Sequence, residues 1–335
     1  MSKYLVTGTA GFIGFHLANA LLEKGEEVVG LDNINDYYDV NLKFARLKEA
    51  GIERGDVEWG KHAQSTTYPG YRFVRMDLED KDGILGLFSE EKFDYVIHLA
   101  AQAGVRYSID HPDVYIQSNI VGFFNILEAC RHYPVKHLLY ASSSSVYGNN
   151  EKVPFSEDDN VDHPVSLYAA TKKSNELMAS TYCHLYGVSA TGLRFFTVYG
   201  PWGRPDMAIY KFTKAMLQGK PIQVYAEGKL LRDFTYIDDI VNGILSILGQ
   251  LTTERPHVLM NIGNNHPITV NELVSELEQA LSRQAQVEYL PMQLGDVEKT
   301  YADIDRINSY CVFKPHTDLK TGLQKFCNWY LEYTD

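Results

Sequence analysis

A chain of 335 residues, 45% of them apolar and 22% charged, has enough apolar content for one large core or two associated domains and too much to stay disordered. Its formal charge of −12, with no basic run, argues against nucleic acid as a partner. No apolar run approaches the ~20 residues needed to cross a bilayer, and the opening MSKYLVTG runs straight into a strand pattern, so a cytoplasmic protein with no membrane partner is expected.

Strand-like apolar runs alternate with helix-length amphipathic segments: KYLVTG, EVVGLD, YRFVRMD, DYVIHLA, HLLYA and ATGLRFF. Runs this continuously apolar suit strands buried on both faces, which predicts a doubly wound α/β domain built on a parallel sheet. The segment ERGDVEWGKHAQSTTYPG, 53 to 70, is polar and turn-rich and reads as a surface excursion. After about residue 198 the rhythm loosens around Pro201, Pro205 and Pro221, with short strand candidates at IQVY and VEYL. DFTYIDDIVNGILSIL and VLMNIG read as a helix and a last strand that returns to the main sheet. The expected division is a nucleotide-binding domain of residues 1–197 plus 234–263 and a smaller α/β substrate domain of 198–233 plus 264–335.

Cys130, Cys183, Cys311 and Cys327 are scattered without a CxxC pair and read as reduced, mostly buried thiols. The histidines form no HExxH or His/Cys cluster, so no metal is expected.

The first strand ends in TGTAGFIG, which sets Gly8, Gly11 and Gly14 three residues apart where a helix should begin. Glycine lets the turn bend sharply and lets backbone N–H groups approach a pyrophosphate at the helix N-terminus. Three glycines alone also fit a plain tight turn. Asp32, ending the next strand, is placed to hydrogen-bond both ribose hydroxyls and to repel the extra phosphate of NADP, which selects NAD. Asp77 and Leu78 end the third strand at the adenine edge. Leu99, Ala100 and Ala101 end the fourth, where small residues let a cofactor lie against the backbone.

YAATK places Tyr168 and Lys172 at i and i+4, on one helix face. A tyrosine, with an ordinary pKa near 10, acts as a base at neutral pH only where a cation favours the phenolate. Tyr210 and Lys214, Tyr225 and Lys229, and Tyr310 and Lys314 share the spacing, so position must decide. Only Tyr168 follows the strand-plus-serine element SSSSVYG within the nucleotide-binding half. That serine run reads either as a linker or as hydroxyls set at a strand end.

TGxxGFIG, LAAQAGVR, the serines before VYG, YxxxK and RDFTYIDD, in that order, resemble the extended short-chain dehydrogenase family of nucleotide-sugar epimerases over nearly the whole chain. The resemblance implies a Rossmann domain with a small sugar-nucleotide domain, bound NAD and a homodimer. It implies Tyr168 as the base at the sugar 4-hydroxyl and Lys172 as the residue that lowers its pKa and holds the nicotinamide ribose. Ser143 would bind the same sugar oxygen, and Asn119 would serve as a structural and water-relay residue. Further cofactor contacts are expected at Phe12, Ile13, Asn33, Lys43, Ser142 and Phe195.

Related dehydratases carry Thr-Asp-Glu before VYG and related decarboxylases a glutamate, whereas this chain has Ser143, Ser144 and Ser145. Hydroxyls cannot supply the acid and base that dehydration needs, which favours simple epimerisation. RFFTVYGPWGRPDMA, 194 to 208, resembles UDP-glucuronate 4-epimerases, in which Thr197, Arg204 and the serines would surround the carboxylate at carbon 6. Arg204 could equally pair with Asp206 or cap a helix. Arg106 is a second cation by family position, near the sugar or the diphosphate. Arg232, Asp296 and Tyr225 match the places that hold UDP, while Gln293 stands where hexose enzymes have an arginine.

The implied activity is interconversion of UDP-glucuronate and UDP-galacturonate through a transient 4-keto sugar. The alternatives are a 4-epimerase of neutral UDP-hexoses, a UDP-glucuronate decarboxylase, and a catalytically silent NAD-binding regulator.

Overall fold

The computed structural model describes residues 1–251, 257–292 and 297–334. An eight-stranded sheet runs in the order His257–Ile262, Ala190–Phe195, His137–Ser143, Tyr95–His98, Lys3–Thr7, Glu27–Asp32, Tyr71–Arg75, His62–Gln64. The pairings Lys3↔Glu27, Tyr4↔Tyr95, Val28↔Tyr71 and Tyr95↔His137 are all parallel. Leu5, Val96 and Leu138 are fully buried, which is why the strands read as unbroken apolar runs rather than as alternations.

The strand order reverses at Lys3–Thr7, the topological switch point at which doubly wound sheets bind ligands beyond the carboxyl ends of their strands. The glycine turn leaves the sheet there. The fold class read from the sequence, a doubly wound α/β sheet, is the one observed.

The excursion at 53–70 departs from expectation. It contributes His62–Gln64, an edge strand antiparallel to Tyr71–Arg75, with Ala63 and Ser65 buried beneath an otherwise polar surface. An edge strand has one free side and tolerates polar residues, so its sequence looks like a loop.

The chain divides into two compact units, one of Met1–Val146, Ser166–Arg194 and Leu251–Met260, the other of Tyr147–Val165, Phe195–Gln250 and Asn261–Asp335. In the second unit, Leu231–Tyr236 pairs with Thr197–Tyr199, Pro267–Thr269 and Lys299–Thr300. IQVY and VEYL pair in parallel, Ile222 opposite Val287. The stretch DFTYIDDIVNGILSIL divides into the end of that central strand and a helix, Ile237–Leu248. All four cysteines are free and buried.

Candidate active site

In the first unit, the turn after Lys3–Thr7 is closed by hydrogen bonds from Gly8 N to Leu31 O (2.6 Å) and from Gly11 N to Gly8 O (2.9 Å). Gly8 sits at φ +80°, and a Cβ on Gly14 would lie 2.1 Å from the Gly8 carbonyl oxygen. Only glycine permits the helix Phe12–Glu23 to start this close to the strand, with its N-terminal amides gathered at the turn. Phe12 and Gly14 are buried and Ile13 is half-buried, in the helix's first turn.

Asp32 is buried at its strand end and accepts a hydrogen bond from Ile34 N (2.8 Å). Asn33 donates to Asp77 Oδ1 (2.9 Å), joining two neighbouring strand ends. Lys43 is buried with its ammonium on Asn35 Oδ1 (2.7 Å), so it braces the 33–38 loop. Leu78 belongs to the apolar core and packs where a Cβ on Gly122 would stand, which limits its polar role to its backbone. Ala100 N donates to Thr7 Oγ1 (3.1 Å), and Leu99 and Ala101 flank it, half-buried, at the next strand end.

One cation at this end escaped sequence reasoning. Arg46 is fully buried and donates to Ala10 O inside the glycine turn (2.8 Å) and to the Tyr38 hydroxyl (2.7 Å). In LKFARLK it looks like part of a solvated helix face, and nothing local signals its burial.

The helix Leu167–Tyr186 begins with Ser166 capping Ala169 N (3.1 Å), which places half-buried Tyr168 in the first turn. Lys172 is buried and donates to Ala141 O (2.9 Å) on the serine-bearing strand. Burial pushes its ammonium down to about 8.

The serines differ from one another. Ser142 is buried and donates to Glu176 Oε1 (2.6 Å), whose carboxylate is held by buried Arg194 through two 2.8 Å bonds. Its hydroxyl therefore belongs to an interior network. Ser143 Oγ accepts from Ser145 N (3.2 Å) and Ser145 Oγ (2.9 Å), while Ser144 is half-buried beside them.

Asn119 lies in a π-helical turn, Ile116–Val121. It accepts from Gln102 N (2.8 Å) and donates to Gln102 O (3.0 Å) and Thr171 Oγ1 (3.1 Å). It locks the AAQAG segment to the helix of Tyr168, a structural arrangement rather than an open cofactor contact. Tyr115, fully buried, adds a 2.8 Å bond to Ala103 O and an edge contact to the Tyr168 ring at 6.1 Å. Arg106 is exposed, at the start of the short helix Tyr107–Asp110.

The second unit holds Phe195, buried at a strand end, and Thr197, half-buried opposite Phe234. Arg204 forms a bidentate pair with Asp206, Nε to Oδ1 at 3.0 Å and Nη2 to Oδ2, one of the two partners its sequence left open. Tyr225 reaches Gln223 Oε1 only at 3.4 Å, and Arg232 donates to Leu231 O (2.9 Å). Asp296 and Gln293 lie outside the described residues. Two of the three acids of RDFTYIDD are structural: Asp233 accepts from the backbone of Asn264, Asn265 and Ala302, and Asp239 from that of His316 and Thr317, while Asp238 is exposed. The tyrosine of VYG, Tyr147, donates to buried Asn261 (2.6 Å).

His62, Glu90 and Glu91 come close enough to hold a cation. Glu91 already pairs with Arg72 (2.7 Å) and Lys3 (3.2 Å), and these charges oppose a further cation. Among the described residues, no helix is long and apolar enough to cross a membrane.

The glycine turn, the carboxylate of Asp32 and the Tyr168–Lys172 helix fit a dinucleotide-dependent redox site, and the profile of the NAD dependent epimerase/dehydratase family matches residues 4–263. The chain belongs to that family. Among its relatives, an uncharacterized 37.6 kDa protein of Escherichia coli O111:H- is 52% identical, over 99% of each chain. UDP-glucuronate 4-epimerase 1 of Arabidopsis thaliana is 48% identical, over 98% of this chain and 76% of its own. The crystal structure of UDP-glucuronic acid 4-epimerase from Bacillus cereus, in complex with UDP-glucuronic acid and NAD, is 32% identical, superposes with a TM-score of 0.88 and covers 99% of each chain.

Proposed function

We propose that this chain is a UDP-glucuronate 4-epimerase that interconverts UDP-glucuronate and UDP-galacturonate through a transient 4-keto sugar. The observation that carries the reaction type is the strand end at 142–145. It presents hydroxyls beside buried Lys172, and its neighbouring carboxylate, Glu176, is tied to Arg194. The likeness to enzymes named for this activity supports the choice of sugar.

NAD, when bound, would supply the hydride acceptor and donor for carbon 4. Gly8, Gly11 and Gly14, with Phe12 and Ile13, form the cradle for its pyrophosphate. Asp32, Asn33, Lys43, Asp77 and Leu78 serve its adenosine half. Leu99, Ala100, Ala101, Asn119, Ser142 and Phe195 serve or support the rest.

Tyr168 takes the proton from the sugar 4-hydroxyl and gives it back after the ketone has turned. Lys172 supplies the positive charge that makes the phenolate accessible, and Ser143 holds the same oxygen. Thr197, Arg204, Ser144 and Ser145 hold the carboxylate, while Arg106, Tyr225, Arg232 and Asp296 hold UDP. This reading takes residues 1–197 plus 234–263 as nucleotide-binding and the remainder as sugar-binding. It also takes the protein as cytoplasmic and as a homodimer; exposed Ile109, Val114, Ile116, Phe124 and Leu177 on the helices of the first unit support the pairing.

UDP-glucuronate deuterated at carbon 4 tests the mechanism. The label is expected to remain on carbon 4 of the UDP-galacturonate formed, and its loss to solvent would overturn the redox route. One observation favours a second reading, a neutral-hexose 4-epimerase: the fork of Arg204 already rests on Asp206.

A further inference from the structure

Arg204 and Asp206 stand two residues apart and meet through two parallel N–H to oxygen bonds, with side chains 26% and 23% exposed. The loop that carries them is fixed. Trp202 adopts φ +62°, and its ring packs 5.2 Å from that of Trp329 and 5.5 Å from that of Tyr333 on the helix Leu319–Thr334. Gly203 N donates to Gly200 O (3.1 Å), and Met207 N to Arg204 O (3.2 Å). On a loop held this way the carboxylate of Asp206 is permanently at hand, an intramolecular ligand with a high effective concentration.

A hexuronate presents to the guanidinium the same group that Asp206 presents: a planar carboxylate matched to a two-pronged donor. We propose that Asp206 is a stand-in carboxylate, an intramolecular competitor that occupies Arg204 until the carboxylate of an anionic sugar replaces it. This rests on the role given to Arg204 under Proposed function.

The exchange has three physical consequences. A partly desolvated guanidinium is never left without a counter-charge, which would be costly. A neutral sugar has no group that repays displacing Asp206, so it leaves the pair intact and gains nothing from Arg204. After turnover, Asp206 retakes the arginine as the product carboxylate leaves, which holds down the affinity for the product as well as for the substrate.

The test compares the parent, Asp206→Asn, Asp206→Ser and Arg204→Ala proteins. Each is titrated calorimetrically with UDP-glucuronate and with UDP-glucose, with KM and kcat from product formation and thermal unfolding to establish folding. Asparagine keeps the shape and removes the charge; serine is a second route should the first variant not fold. Both Asp206 variants are expected to bind UDP-glucuronate about three- to tenfold more tightly, with KM falling and kcat not rising, and to bind UDP-glucose within about twofold of the parent. Weaker or unchanged binding of UDP-glucuronate would overturn the proposal and make Asp206 a prop for Arg204. If that happens while Arg204→Ala still loses UDP-glucuronate affinity, the Arg204 reading survives alone. If Arg204→Ala leaves that affinity unchanged, the underlying reading falls and this proposal with it.

Discussion

The ammonium of Lys172 and the carbonyl of Ala141 are joined by a 2.9 Å hydrogen bond, which fixes the helix of Tyr168 to the strand that delivers Ser142 and Ser143. Tyr168, Lys172 and the serine hydroxyls are thereby set by two packed elements rather than by loops, the rigidity that the proposed proton transfer would require.

Burial gives this lysine a pH signature. Its folded pKa is about 8, below the ordinary 10.5, so between those values the folded chain binds fewer protons than the unfolded chain. Its contribution to stability therefore rises with pH through that window, while the positive charge on which the proposed role of Tyr168 depends is lost. kcat is expected to decline above about pH 8. Lys172→Met should remove that decline and lower kcat about 10²- to 10⁴-fold. A parent pH–rate profile that stays level to pH 10 would contradict this role.

Arg46 bonds to the glycine turn from beneath. Arg46→Met is expected to cost about 3 kcal/mol of stability, since it removes a charged donor from one buried and one part-buried acceptor, and to release NAD more readily during purification. Denaturant unfolding and the nucleotide content of the purified protein check both effects.

Two tyrosines follow the serine run in the chain, and different outcomes are expected of them. Tyr147→Phe removes the hydrogen bond to Asn261 and should lower stability by about 1–2 kcal/mol with kcat nearly unchanged. Tyr168→Phe should leave stability nearly unchanged and abolish turnover. A reversal of these outcomes in paired kinetic and unfolding measurements would move the catalytic assignment.

A 4-ketone lies β to the carbon 6 carboxylate, and such keto acids lose carbon dioxide when the breaking bond stands perpendicular to the carbonyl plane. If Arg204, Thr197, Ser144 and Ser145 restrain that carboxylate, Arg204→Ala should release extra UDP-pentose. Nucleotide-sugar chromatography of the reaction reads this directly.

Much of this was legible in the residues, and the remainder has identifiable physical causes. The parallel strands announce themselves because both faces are buried, and the glycine turn because Gly14 has no room for a Cβ. The edge strand His62–Gln64 is three residues long, too short for a period-two pattern to stand out. Arg46 and the Glu176–Arg194 pair are charges whose burial depends on distant partners. At Arg204 the spacing to Asp206 allowed two partners, and the side-chain geometry shows one of them in place.

The most direct test incubates the protein, without added NAD, with UDP-glucuronate and separately with UDP-glucose, and identifies the products by NMR. UDP-galacturonate from the first, with the second little changed, is the predicted result. UDP-galactose from UDP-glucose, with UDP-glucuronate left intact, would contradict the account.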